Sequence, residues 1–146
     1  MFDPRSSDEL TYTRTFDAPR AVIFRCMTRP EHLTHFWGPA GTTAPLEAII
    51  VDLRPGGTFE TTMINDTDGS QYVSRSEYVE IVEPERLVWT DSDTGMTTTV
   101  IFVDLGGDRT DIRIHQSGVP KMFRTPQARS GFTTSLDRLT AYVATQ

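Results

Sequence analysis

A chain of 146 residues, 37% hydrophobic and 23% charged, is long enough to bury a core without disulfides or metals, and this composition excludes long disorder and fibrous repeats. Its net charge of −6, from 20 acidic against 14 basic side chains with no basic cluster, argues against nucleic-acid partners and anionic lipid surfaces. The lone Cys26 forms no internal disulfide, no apolar run reaches membrane-spanning length, and Met1 to Leu10 lacks a signal peptide's apolar stretch, so one cytoplasmic domain over residues 1–146, without membrane insertion, is expected.

In chain order, Thr11 to Phe16 are β-branched, aromatic or alternating and read as a first strand ending at Asp17. The period then changes. Pro19 suits a first helical turn, and Val22, Ile23, Cys26 and Met27 recur at helical spacing until Arg29-Pro30 breaks the pattern. With Phe24 and Met27 beside it, Cys26 reads as a small core residue. A second short helix is expected from Glu31 to about Phe36, stopped by Gly38, Pro39 and Gly41.

From Pro45 onward, turn residues recur at short intervals: Pro55-Gly56-Gly57, Asp66 to Gly69, Glu83-Pro84-Glu85, Ser92 to Gly95 and Gly106-Gly107-Asp108. The segments between them are rich in Val, Ile, Thr, Tyr and Phe, which predicts strands over Leu46–Leu53, Thr58–Asn65, Ser70–Val82, Arg86–Asp91, Met96–Leu105 and Thr110–Gln116. Consecutive hairpins make an antiparallel meander. After Pro120 a last helix is expected from about Pro126 to Ala144, with Thr125 as N-cap and one apolar stripe of Ala128, Phe132, Leu136, Leu139 and Val143. That stripe needs an apolar face to bury against. Only the seven-stranded sheet offers one, so the fold class is α+β, with the helix across the sheet.

Several constellations have ordinary explanations. Glu31, His32 and His35 share a helical face, but no further ligand stands at a telling spacing, so a polar face is expected and no metal. Asp66, Asp68 and Gly69 lack the ligand pattern of a calcium loop and read as a hairpin turn. Gly56-Gly57 has no following helix and no Walker lysine, so it too is a turn, and no cofactor is expected. His115 alternates with Arg113 and Asp111 on one strand face, opposite Ile112 and Ile114; a solvated outer face is the simpler reading than a general base. The aromatic and methionine residues say more. Tyr72, Ser74, Ser76 and Tyr78 share a strand face, as do Leu87 and Trp89, and Met96, Thr98, Val100 and Phe102, combining apolar area with hydroxyls as ligand pockets do.

Phe16-Asp17-Ala18-Pro19, Pro30-Glu31-His32-Leu33, Phe36-Trp37-Gly38, Asp52-Leu53-Arg54-Pro55-Gly56-Gly57-Thr58-Phe59, Asp68-Gly69, Tyr78-Val79-Glu80-Ile81, Pro84-Glu85-Arg86-Leu87, Gly131-Phe132 and Leu136-Asp137 with Leu139 run nearly end to end. On these residues the chain resembles the activator-of-Hsp90-ATPase-like branch of the START-like (SRPBCC, helix-grip) superfamily. One departure is Phe132, where relatives commonly carry tryptophan. The resemblance implies a β-α-α-β6-α helix-grip fold, a seven-stranded curved sheet around a long C-terminal helix, with a cavity between the two. Members of this superfamily bind lipids, hormones or polyketides, and some are cyclases; fold alone does not choose among these.

The leading expectation is therefore binding of a small, mostly apolar molecule between sheet and helix, with Trp37, Phe59, Met63, Tyr72, Tyr78, Trp89, Met96, Phe102 and Phe132 as contacts. The alternative is a polyketide cyclase or hydrolase-like enzyme using the same cavity, although no acid and base pair stands out. A chaperone regulatory module ranks last, since the few basic residues form no docking patch. A homodimer is compatible with the sequence but not indicated by it.

Overall fold

The computed structural model describes residues 8–146. Its elements are β1 (Leu10–Phe16), α1 (Arg20–Thr28), α2 (Pro30–Leu33), β2 (Thr42–Thr43), β3 (Ile50–Val51), β4 (Thr58–Asn65), β5 (Gln71–Val82), β6 (Arg86–Asp91), β7 (Thr97–Gly106), β8 (Arg109–Ser117) and α3 (Pro126–Val143). One curved antiparallel sheet runs in the order β1-β8-β7-β6-β5-β4-β2, with β3 also paired to β4. The hairpins from β4 to β8 pair with their chain neighbours, and β1 closes on β8 from Leu10 opposite Gln116 to Phe16 opposite Thr110. The architecture is the α+β helix-grip fold.

Two differences from the expected pattern concern short elements. Among the described residues the sheet has eight strands rather than seven, because the two-residue β2 pairs with the end of β4, while the stretch expected as a strand over Leu46–Leu53 forms a one-turn 3-10 helix at Leu46–Ala48 and only then the two-residue β3. Pro45 has no N–H to give a ladder, and Ala48 N–H bonds back to its carbonyl at 3.0 Å, so the chain curls before it can pair. The second helix is shorter than expected, and beyond Leu33 it continues through Trp37 only as turns, with His35 N–H on the His32 carbonyl at 3.0 Å and Phe36 N–H on the Leu33 carbonyl at 3.1 Å.

The core lies on the concave face. α1 buries Ile23, Phe24, Cys26 and Met27 against the sheet, and Phe24 meets Phe102 of β7 edge-on at 5.4 Å between ring centroids. α3 is capped as its sequence predicts: Thr125 Oγ1 accepts from Ala128 N–H at 3.1 Å and Pro126 opens the first turn. Its C-terminal half buries Leu136, Leu139 and Val143, whereas Ala128 and Phe132 in the N-terminal half are only half-buried. Both flanks of the helix are tied down. Arg138 donates to the carbonyls of Gly38 and Pro39 at 2.9 and 3.0 Å, and Arg14 on β1 reaches Asp137 at 2.9 Å.

The Asp-Leu-Arg-Pro-Gly-Gly segment is a turn locked onto β5. Gly56 N–H donates to the Tyr78 carbonyl at 2.8 Å and Tyr78 N–H to the Gly57 carbonyl at 2.9 Å. Gly56 sits at φ +84°, and a Cβ on Gly57 would lie 2.0 Å from the Asp52 carbonyl oxygen, so both glycines are required by the backbone path. β5 is irregular next to this turn, its register to β6 shifting between Tyr78 and Glu80.

Candidate functional site

Between the concave face and α3 lies a cavity of about 320 Å³. Strand alternation builds its floor: Tyr72, Ser74 and Ser76 from β5, Trp89 and Asp91 from β6, Met96, Thr98 and Val100 along and just before β7, Ile114 and Gln116 from β8. The roof is the stripe of α3, with Ala128, Phe132, Leu136 and Leu139 one helical face apart. Phe36, Trp37, Gly38 and Pro39 close one side, because the turns after α2 swing the chain back beneath α3. Tyr12 of β1 stacks on Phe132 with centroids 4.2 Å apart, and Phe123, in a 3-10 turn before α3, meets Tyr72 edge-on at 6.0 Å.

Six of the nine expected contact residues meet at this cavity: Trp37, Met63, Tyr72, Trp89, Met96 and Phe132. Phe59, Tyr78 and Phe102 do not reach its wall. Each points to the concave side as alternation requires, but farther along the sheet, where solid core replaces open space. Phe102 is covered by α1, while Phe59 stacks on Tyr78 at 5.5 Å and meets Trp89 edge-on at 5.3 Å. Tyr78 is 1% exposed, its hydroxyl has no hydrogen-bond partner among the described residues, and burial pushes its phenol far above the usual range.

The wall also contains residues that strand and helix patterns did not single out. Asp91 was legible as the end of a strand, and it does serve the following turn, its Oδ1 accepting from the backbone N–H of Asp93 and of Thr94 at 2.9 Å each. Its position two residues after Trp89 also puts it on the cavity side. Gln116 follows Ile112 and Ile114 in the same way. Tyr12 and Phe123 enter from segments whose placement depends on long-range pairing.

Polar groups in the wall are partly answered from within. Trp37 Nε1 donates to the buried Thr61 hydroxyl at 3.1 Å. Burial raises the phenol of Tyr12, opposed by the nearby Arg129 guanidinium. Burial raises that of Tyr72 too, and the negative charges of Asp91 and Asp93 push it the same way.

The other sequence constellations lie elsewhere. Asp111, Arg113 and His115 are on the convex face, Arg113 pairing with Asp111 at 3.1 Å and His115 with Glu9 at 3.2 Å. His32 hydrogen-bonds the Tyr142 hydroxyl and His35 stacks on the same ring, so the histidine face holds the end of α3. Asp68 Oδ1 caps its own turn, accepting from the Ser70 hydroxyl at 2.7 Å and from the Ser70 backbone N–H at 2.9 Å, and these bonds lower the Asp68 carboxyl below its usual range. Among the described residues, no three His, Cys, Asp or Glu side chains are grouped to hold a metal ion. Cys26 is buried, which pushes its thiol up and away from reactivity. No helix among the described residues is long and apolar enough to cross a membrane.

Residues 17–144 match the family model described as activator of Hsp90 ATPase homolog 1-like protein. No curated protein matches the chain. Among solved structures, the crystal structure of a Chromobacterium violaceum protein is 26% identical with a TM-score of 0.84, covering 91% of this chain and 95% of that one. A Mycobacterium smegmatis protein is 23% identical with a TM-score of 0.81, over 95% and 92% of the two chains. The solution structure of an AHSA1-like protein from Aeromonas hydrophila is 19% identical with a TM-score of 0.79, over 94% and 92%. The last two likenesses speak to the fold alone.

Proposed function

The chain belongs to the activator of Hsp90 ATPase homolog 1-like family, and from that premise we propose that it binds a small, mostly apolar molecule in the cavity between the concave sheet and α3. The observation that carries this reading is the cavity itself. About 320 Å³ is left open under a well-capped helix, in the place where the fold would otherwise pack side chains. Atoms lining unfilled space forgo dispersion contacts, so a fold selected only for stability would fill it. Trp37, Trp89 and Phe132 supply rigid apolar walls, and Tyr72 carries a polar tip at the rim. The buried Cys26 supports a reducing compartment, and we place the protein in the cytoplasm.

Binding is favoured over catalysis by the chemistry of the wall. Asp91 is the one carboxylate among the described wall residues, and no histidine, lysine or cysteine stands beside it to complete an acid and base pair. Both tryptophans of the chain, Trp37 and Trp89, line the cavity, so their fluorescence reports occupancy directly. The test combines native mass spectrometry of freshly purified protein with titration of an apolar aromatic probe. Added mass that disappears on denaturation, or a saturable change in tryptophan emission, is the expected result. Polypeptide mass alone, together with no saturable response, overturns the reading.

A further inference from the structure

The cavity is apolar on most sides, but its floor carries a line of buried polar side chains. Ser76, Asp91, Thr98 and Gln116 are 6%, 5%, 3% and 8% exposed and come from four successive strands, β5 to β8. Register places Ser76 opposite Asp91 and Thr98 opposite Gln116, with Trp89 opposite Thr98 joining the two pairs. They form one band across the sheet, widened on β5 by Ser74.

This band does not satisfy itself. Gln116 Nε2 reaches Thr98 Oγ1 at 3.4 Å, longer than a well-made bond, and this is the one side-chain hydrogen bond of Gln116 among the described residues. Ser76 makes none there. Asp91 gives Oδ1 to the turn amides, and its Oδ2 accepts only the Ser74 hydroxyl at 3.2 Å, which leaves a lone pair facing the cavity. Burying such groups costs free energy unless something answers them, and apolar residues at Ser76, Thr98 and Gln116 would pack the floor better.

We propose that the ligand carries an uncharged hydrogen-bond donor, a hydroxyl or amide N–H on an otherwise apolar skeleton, and that Asp91 and Gln116 accept it. The proposal rests on the apolar-binding reading above and names the chemistry of that ligand. A carboxylate is disfavoured, because it would meet the Asp91 charge across a water-poor space. An ammonium is disfavoured too, because its desolvation in this apolar cavity offsets the attraction.

Three probes of one shape separate these cases: naphthalene, 2-naphthol and 2-naphthoate, titrated calorimetrically into the full chain at neutral pH. The naphthol should bind about tenfold more tightly than naphthalene, the gain expected of a hydrogen bond to a charged acceptor, with naphthoate weakest. Gln116→Leu should shrink the naphthol advantage while leaving naphthalene within about twofold, since it removes an acceptor and keeps the volume. Asp91→Asn keeps an oxygen for the turn amides, so the fold survives, and it should admit naphthoate more readily. Equal binding of naphthol and naphthalene, or tightest binding of naphthoate, overturns the donor proposal and leaves apolar binding standing. If none of the three binds, the apolar reading fails and this proposal with it.

Discussion

Tyr78 and Phe132 show how differently one strand face or one helix face can be used. The Tyr78 hydroxyl is buried among Phe59 and Trp89 with no partner among the described residues, so it bears a desolvation cost that a phenyl ring would not. Tyr78→Phe is expected to raise the unfolding free energy by about 1 kcal/mol, measured by urea denaturation. A loss of similar size would show that the hydroxyl is answered, for instance by a buried water. Phe132 borders open space on one side and Tyr12 on the other. Its truncation to alanine should cost about 1 to 2 kcal/mol, below the ~3–5 kcal/mol of a fully packed phenyl ring, and should change the uptake of an apolar fluorescent probe. A full core-sized loss with unchanged uptake would mean that the ring seals solid core.

Glycines separate elements that only need backbone from elements that also need space. Gly131 lies inside α3, where a Cβ would meet the Pro39 ring at ordinary contact distances of 3.6 and 3.7 Å. Gly131→Ala should therefore stabilise the protein by about 0.5–1 kcal/mol in thermal or chemical melts, through helix propensity. At Gly57 the same change drives a Cβ into the Asp52 carbonyl, and a loss of about 3 kcal/mol or failure to fold is expected. Similar costs at both sites would refute this account. The element scale is also where the sequence was most legible. The stripe and cap of α3, the period change at Pro19 and the hairpin turns are local signals, and they reproduce the element order apart from the two-residue β2. Leu46–Leu53 was misread because apolar composition hides the curl that Pro45 starts. Alternation grouped Tyr78 with Tyr72 and Phe102 with Met96 on their strands without saying which face is concave. Nor could it say where along that face packing gives way to open space, since the height of the opposite wall depends on helices distant in sequence. Asp91 and Gln116 were hidden for a related reason, because a polar residue at a strand end looks solvated until the sheet curls around it.

On the scale of the whole molecule, all four tyrosines, Tyr12, Tyr72, Tyr78 and Tyr142, have phenols raised above the usual value, with burial the largest cause in each. A raised folded-state pKa leaves stability intact below about pH 10, where unfolded tyrosine ionises, and erodes it as pH rises further. Tyr78 alone should contribute a slope of up to about 1.4 kcal/mol per pH unit there. The Tyr78 share of the tyrosinate absorbance near 295 nm should then appear only with loss of circular dichroism; the full signal of all four tyrosines in advance of unfolding would contradict it. The graded burial of α3 carries a further consequence, for the timing of exchange with solvent. Leu136, Leu139 and Val143 pin the C-terminal half, while the turns around Ala128 and Phe132 rest on the cavity. Backbone amides of the first two turns beyond the cap should therefore trade hydrogen for deuterium well before those near Leu139, by opening that leaves the sheet intact. A bound guest would add the missing underside and slow the early turns most, so the helix would record in its deuterium uptake whether the space beneath it is filled.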